Sequence, residues 1–387
     1  MDFEFSDEQR MLKDTTRKVM EKEIIPIADE YDRKKSLLDR EMLKGLLDKL
    51  APLGYLGGTI PEEEGGAGLD FVTCGLLLEE LSRAYASLGG VLLIQQNGVR
   101  AIYELGTPEQ RQKFLPALLT GDKIVCIAIT EPNVGSNPAL VETKAVLHGD
   151  HYLINGTKTW ISNGTISDYA VVVAQAKGGT EGAGVCHLIV DRDASPYETR
   201  ELSKMGLRSF PTSELIFEDC RVPEEDVLVS PGQGLKEILR LFEGGRASMA
   251  IESVGMAQAA IDASVQYARE RHQFGRPIGT FQMVAEMIAD MIAETEAARF
   301  LSYRAFSMMD RGVRCDMETS LAKLYATEAA VRVTSKAIQI HGAYGLSEEY
   351  PIERFFRDAR SFTIPDGTTQ IQKLIVSRNA LGLSAIT

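Results

Sequence analysis

The chain has 387 residues, of which 44% are hydrophobic and 25% charged, the balance of an ordinary globular protein with room for two or three domains. A net charge of −13 without a basic block excludes a phosphate-neutralising nucleic-acid surface, and no apolar run is long enough to insert into a membrane. The start, Met1-Asp-Phe-Glu-Phe-Ser-Asp-Glu, does not read as a signal peptide, and five cysteines without a Cys-x-x-Cys pair point to reduced thiols in a cytoplasmic protein that holds no metal.

The first third reads as helices. Ser6-Asp-Glu-Gln9 is a capping box, followed by Met11, Leu12, Val19 and Ile24 at roughly helical spacing. Leu43, Leu46, Leu47 and Leu50 share one face of a second helix. After the turn-rich stretch from Pro61 to Gly68, helices are predicted over 70–84 and 87–105. Thr107-Pro-Glu-Gln110 is another capping box, with Pro at the first helical position, and its helix stops at Gly121.

The texture then changes to short β-branched runs: 123–129, 144–147, 152–154, 170–173, 185–190 and 215–217. Gly149-Asp150 marks a two-residue hairpin. No helical pattern interrupts these runs, so an antiparallel β domain is expected. From about Leu235 helical periodicity returns, over 235–271, 282–311, 317–340 and 351–361, with a last helix after Asp366. Alanines on many faces there, among them Ala257, Ala259 and Ala260, predict close helix packing. The expected fold class is therefore α+β and multidomain: an N-terminal α-helical domain (1–122), a middle antiparallel β domain (123–232) and a C-terminal helical bundle (233–387).

The segment Ser361-Phe-Thr-Ile-Pro-Asp-Gly-Thr-Thr-Gln370 sets one carboxylate, Asp366, on a Pro-Gly turn beside hydroxyl and amide side chains. Such a carboxylate can serve as a proton-abstracting base, although Pro-Asp-Gly is equally plain turn chemistry. Four further motifs occur in order: Ile127-Ala-Ile-Thr-Glu-Pro-Asn-Val-Gly-Ser136, Trp160-Ile-Ser-Asn-Gly164, Arg271-His-Gln-Phe-Gly275 and Gln339-Ile-His-Gly-Ala-Tyr-Gly345. With the Asp366 turn, and over essentially the whole chain, they make this sequence resemble the acyl-CoA dehydrogenase flavoprotein family.

The resemblance implies FAD as cofactor and an acyl-CoA substrate. Ile127, Ile129 and Thr130 would border the flavin ring, with Trp160 packed beside it and Ser162 as a hydrogen-bonding partner. Arg271, Gln273, Phe274, Gln282, Gln339, Gly342 and Ala343 would hold the pyrophosphate and adenosine, reaching the cofactor of a neighbouring subunit in a homotetramer. Thr368 and Gln370 would also touch the cofactor. Ser136, Phe242, Glu243, Arg246, Gly367 and Arg378 would serve the CoA thioester, and Arg246 would help keep Asp366 ionised. This chain departs from the family at Asn133, Val134 and Asn137 of the first motif.

The implied reaction is α,β-dehydrogenation. Asp366 takes the α-proton, a hydride leaves the β-carbon for flavin N5, and an electron-transfer flavoprotein re-oxidises the cofactor. The other family position for the base corresponds to Gly245, which has no side chain. Most relatives have Glu where this chain has Asp366. The shorter acid suggests an unusual acyl group, branched or alicyclic. A flavin oxidase of the nitroalkane-oxidase type and a catalytically inactive relative are the alternatives. The polar run Gln95-Gln-Asn97 on an otherwise apolar helix is either an exposed face or a contact for a polar acyl tail.

Overall fold

A computed structural model describes residues 4–177 and 183–384; the start Met1–Phe3 lies outside them. The N-terminal helices are α1 (Asp7–Val19), running through a π-turn into α2 (Ile25–Lys34), then α3 (Arg40–Leu50), α4 (Phe71–Leu105) and α5 (Pro108–Leu119). Both expected capping boxes form: the Ser6 and Thr107 hydroxyls accept from the backbone of Gln9 and Gln110, whose side chains reach back to the cap. The two helices expected over 70–84 and 87–105 both form; they join as α4 across a kink where Tyr85 leaves helical geometry (φ −156°, ψ 91°).

Eight strands follow: β1 (Val125–Ala128), β2 (Lys144–His148), β3 (His151–Ser162), β4 (Tyr169–Lys177), β5 (Gly184–Asp191), β6 (Glu198–Glu201), β7 (Thr212–Pro223) and β8 (Val227–Val229). They form one sheet in the order β6-β7-β3-β2-β4-β5-β8, with β1 also on β4. The sheet is mixed, which corrects the antiparallel expectation: β1 and β2 both run parallel to β4. β1 pairs with Tyr169–Val172 and β2 with Gln175–Lys177, while β5 fills the other edge of β4. Thus β1 and β2 are two pieces of one interrupted strand. The interruption is the segment 129–143, which carries the first motif.

Alternation along β4 splits the core. Tyr169 and Val171 face Val99, Ile102, Phe114 and Leu118 of α4 and α5, whereas Ala170, Val172 and Ala174 pack with Tyr197 and Phe217 on the other side.

The C-terminal part comprises α6 (Gly234–Glu270), a small hairpin of β9 (His272–Gln273) and β10 (Arg276–Pro277), α7 (Gln282–Asp310), α8 (Asp316–His341), α9 (Ile352–Phe362) and α10 (Thr369–Leu381). Small residues let α6 approach its neighbours closely, and it is buried on nearly every face. A buried network pins this bundle to the rest: Arg357 bonds Asp32 of α2 (2.8 Å), and Asp358 accepts from the Leu207 amide (2.5 Å). All five cysteines are buried and unpaired. Among the described residues, no helix is long and apolar enough to cross a membrane, and no group of side chains is arranged to hold a metal.

Candidate active site at the Asp366 turn and the sheet tip

Between α9 and α10 the chain turns through Asp366 (φ 51°) and Gly367 (φ 88°), both left-handed. Asp tolerates that region better than most side chains. Three buried groups hold the turn. Gln372 donates to the carbonyls of Asp366 (3.1 Å) and Gly367 (2.7 Å), Lys323 of α8 donates to Gly367 O (2.6 Å), and the Thr369 amide bonds Thr363 O (3.1 Å). Thr368 caps α10 by accepting from the Ile371 amide.

The Asp366 carboxylate lies over α6 at Gly245. A Cβ on Gly245 would sit 2.5 Å from Asp366 Oδ2, closer than any real contact, so the missing side chain is what admits the acid. Burial raises the Asp366 pKa above its ordinary value, and the positive charges of Lys323 and Arg246 offset part of that rise. The residue keeps some solvent contact through its exposed turn, but desolvation of the carboxylate is the dominant influence. Arg246 is 6% exposed and acts on Asp366 through space; no ion pair within 4 Å joins them, and its guanidinium donates to Ser320 Oγ (3.4 Å). Lys323, only 1% exposed, has its own pKa pulled down to about 8, mainly by burial.

The sheet contributes the second wall. Trp160 is 58% exposed and has φ 58°, at a bulge where the β3–β7 register slips between Lys158 and Ile161. A bulky residue in the left-handed region is strained, and strain of this kind collects where a side chain must be aimed. Beyond the bulge, Ser162 pairs with Thr212, and Asn163 donates to Val91 O of α4 (3.0 Å). The loop entering β7 then packs on α9 through Leu207 and Asp358, so the bulge and the Asp366 turn share one support.

Ile127, Ile129 and Thr130 are half-buried at the end of β1, and Ser136 is exposed farther along the loop. Glu131 anchors the loop by accepting from the Glu142 (2.5 Å) and Thr143 (2.9 Å) amides and from buried Lys158 (2.7 Å), which also bonds Ile129 O. Burial would raise the Glu131 carboxyl, but these hydrogen bonds outweigh it and hold the pKa below the usual range. Val134, one of the departures noted in the first motif, plugs into the core beside Val141 and Val173 and so fixes the loop from below.

The remaining expected residues fall in two places. Phe242 is half-buried on α6; Glu243 accepts from the Cys315 amide at the start of α8 (2.8 Å), a helix-end contact within the chain; exposed Arg378 pairs with Asp316 (3.5 Å); Gln370 is exposed. Arg271, Gln273, Phe274, Gln282, Gln339, Gly342 and Ala343 gather at the opposite end of α6 and are all exposed. Phe274 and Gly275 form a two-residue turn with both φ values positive, and Phe274 is 93% exposed. The Arg271 guanidinium faces the Tyr344 ring (5.9 Å), and Tyr267 stacks on His341 (4.3 Å). With α6 rising about 1.5 Å per residue, Arg271 lies roughly 39 Å along the helix from Gly245.

The amide run is not an exposed face: one of its members is buried and the other two half-buried. Gln95 is fully buried and bonds Leu118 O, Lys123 O and the Val125 amide, joining α4 to β1, while Gln96 donates to Tyr55 O. Asn97 alone turns toward Gly245, where a Cβ would meet its Nδ2 at 3.6 Å. Lys323, Gln372, Glu131 and Lys158 were not singled out from the sequence. The Lys323-Leu-Tyr-Ala326 stretch and the Glu131 of the first motif carry no local sign that these side chains are buried.

Three family models match the chain in succession: the acyl-CoA dehydrogenase N-terminal domain over residues 6–122, the middle domain over 126–220 and the C-terminal domain over 232–381. Among similar proteins, probable acyl-CoA dehydrogenase YngJ of Bacillus subtilis is 38% identical, covering 98% of this chain and all of that one. The caffeyl-CoA reductase-Etf complex subunit CarC of Acetobacterium woodii is also 38% identical, covering 96% and 98%. The solved structure of butyryl-CoA dehydrogenase from Megasphaera elsdenii superposes with a TM-score of 0.93 at 34% identity, covering 98% and 100%.

Proposed function

The chain belongs to the acyl-CoA dehydrogenase family, and on that premise we propose that Asp366 removes the α-proton of an acyl-CoA thioester during α,β-dehydrogenation to the 2-enoyl-CoA. The protein is an oxidoreductase acting on acyl-CoA, and its cofactor is FAD. The observation that carries the assignment of the base is the fit between Asp366 and Gly245: the carboxylate occupies the space that any side chain at 245 would take.

The residues present suit FAD. The outward-facing Trp160 on its strained bulge offers a flat wall, with the half-buried tip of β1 (Ile127, Ile129 and Thr130) and Ser162 as edge contacts. Bound there, FAD supplies the acceptor for the β-hydrogen and its two electrons. The chain's own groups do the rest. Burial makes Asp366 a stronger base than a surface carboxylate, Lys323 and Gln372 hold the turn's carbonyls so that its amide can polarise the thioester oxygen, and Arg246 and Lys323 balance the charge. Because Asp is one methylene shorter than Glu, its reach favours a compact acyl group, branched or alicyclic, whose α-carbon sits close to the turn.

The Arg271 corner supports a homotetramer. At roughly 39 Å from Gly245 it is too distant for one extended cofactor to touch both, and its exposed cation, aromatic ring and helix end suit the pyrophosphate and adenosine of a neighbouring copy's FAD. Ser136, Phe242, Glu243, Arg246, Gly367 and Arg378 are assigned to the CoA thioester. An electron-transfer flavoprotein is the proposed redox partner, as the name of the Acetobacterium woodii relative suggests, and the cytoplasm the proposed location.

The test is an anaerobic flavin-bleaching screen with straight-chain, branched, alicyclic and dicarboxylic CoA esters. At least one compact ester should bleach the wild-type flavin. Asp366→Asn should retain FAD yet turn over about 10²–10⁴-fold more slowly. Turnover retained by that variant would place the base elsewhere.

A further inference from the structure

Glu252 is a carboxylic acid that the proposed chemistry leaves unused. It lies on α6 seven residues beyond Gly245, hence on the same helical face and about 10 Å farther along the axis. Helical side chains lean toward the N-terminus of their helix, so its carboxyl reaches back toward the Asp366 turn. The residue is 0% exposed, and among the described residues neither Oε1 nor Oε2 has a hydrogen-bond partner. Buried carboxyls with no partner are rare in native interiors, where polar groups are nearly always satisfied. Burial drives its pKa well above the ordinary carboxyl value, and the charge of Asp366 adds to the rise, which places the two acids within electrostatic reach of one another. Across from it stands Gly89 of α4, where even a Cβ would come within 3.4 Å of Glu252 Oε2. The acid therefore faces bare backbone on that side, not a partner side chain.

We propose that Glu252 determines acyl specificity by receiving a hydroxyl group at the end of the acyl chain remote from the thioester. This rests on Asp366 being the α-proton base, since that fixes which end of the acyl group points along α6. A carboxyl that keeps its proton offers one donor and one acceptor, and a hydroxyl matches both. An alkyl group of the same length would leave both oxygens unsatisfied, and sites built to hydrogen-bond a substrate hydroxyl discriminate strongly against the analogue that lacks it. The interval of about 10 Å between Gly245 and Glu252, shortened by two side chains, suits an acyl group of only a few carbons.

The experiment compares butyryl-CoA with 4-hydroxybutyryl-CoA on the FAD-loaded wild type, Glu252→Gln and Glu252→Leu. The wild type should prefer the hydroxy ester by roughly tenfold or more in kcat/KM. Glu252→Gln should keep part of that preference and Glu252→Leu should lose it. A preference that survives Glu252→Leu within about twofold overturns the proposal, as does a wild type that prefers the alkyl ester. Failure of every CoA ester to bleach the wild-type flavin would count against the dehydrogenase reading instead. Infrared difference spectra then test Glu252 alone. A protonated-carboxyl band missing in Glu252→Gln should shift when 4-hydroxybutyryl-CoA binds but not butyryl-CoA; a band that ignores both esters overturns the proposal.

Discussion

Two regions along α6 present the candidate functional residues in opposite ways. At Gly245 the helix meets a carboxylate that this chain alone positions, through a buried lysine, a buried glutamine and the absence of a side chain. At Arg271 it ends in a corner of exposed cation, ring and amide groups, where a phenylalanine stands 93% in solvent on a left-handed turn. The first region is held in place by contacts within one chain. The second has the composition of half an interface, since aromatic and arginine side chains held rigidly outward are typical anchors of binding surfaces. On the proposed assignments, proton removal is a property of the subunit and cofactor retention one of the assembly.

That contrast can be broken at either end. The largest effect is expected from Gly245→Val: its Cβ would press on the Asp366 carboxylate, and a displacement of about 1 Å at a reacting group costs on the order of 10²-fold in turnover. Steady-state kinetics check this, with the flavin spectrum confirming that FAD stays bound. Arg271→Ala should act oppositely, weakening FAD retention by about tenfold while leaving the geometry around Asp366 intact. Dialysis against apo-protein, with the oligomeric state followed by light scattering, separates cofactor loss from misfolding. A fully FAD-loaded tetramer of normal affinity would show that the corner serves something else.

The smallest effect sharpens the picture of the first region. Lys323 lowers the pKa of Asp366, so Lys323→Gln should raise it. The deprotonated base then forms only at higher pH, and the acid limb of the kcat/KM profile moves upward. For stability the sign is also fixed. Asp366 is raised on folding, so its contribution is fully present below the pKa of the unfolded chain and is lost as pH rises through the folded value. Removing Lys323 should lengthen the pH interval over which that stability is lost, so the variant loses more of it by neutral pH. An acid limb that stays in place would mean that Lys323 supports the turn only sterically.

Much of this was legible beforehand. Capping boxes at Ser6 and Thr107 announced helices because their hydrogen bonds are local, and the Pro-Asp-Gly sequence announced the Asp366 turn for the same reason. Long-range facts were not legible. The parallel pairing of β1 and β2 with β4 depends on partners dozens of residues away, and nothing in Trp160-Ile-Ser predicts a left-handed bulge. The strand Glu198–Glu201 is too short and too charged to stand out. Lys323 looks like any lysine on an alanine-rich helix until α10 covers it and its ammonium finds Gly367 O.

The interrupted strand has a consequence for how such a protein can change. Because β1 and β2 take their alignment from β4, the tip of the detour, residues 135–140, bears no share of the sheet's registration; the detour's two ends are tied to β3 and β4 through Thr130 O, Glu131 and Thr143 O. Insertions, deletions or exchanges within that tip can remodel what the molecule grips while the scaffold beneath keeps its hydrogen bonds. Recognition and architecture are thereby free to evolve at different speeds along one continuous stretch of chain.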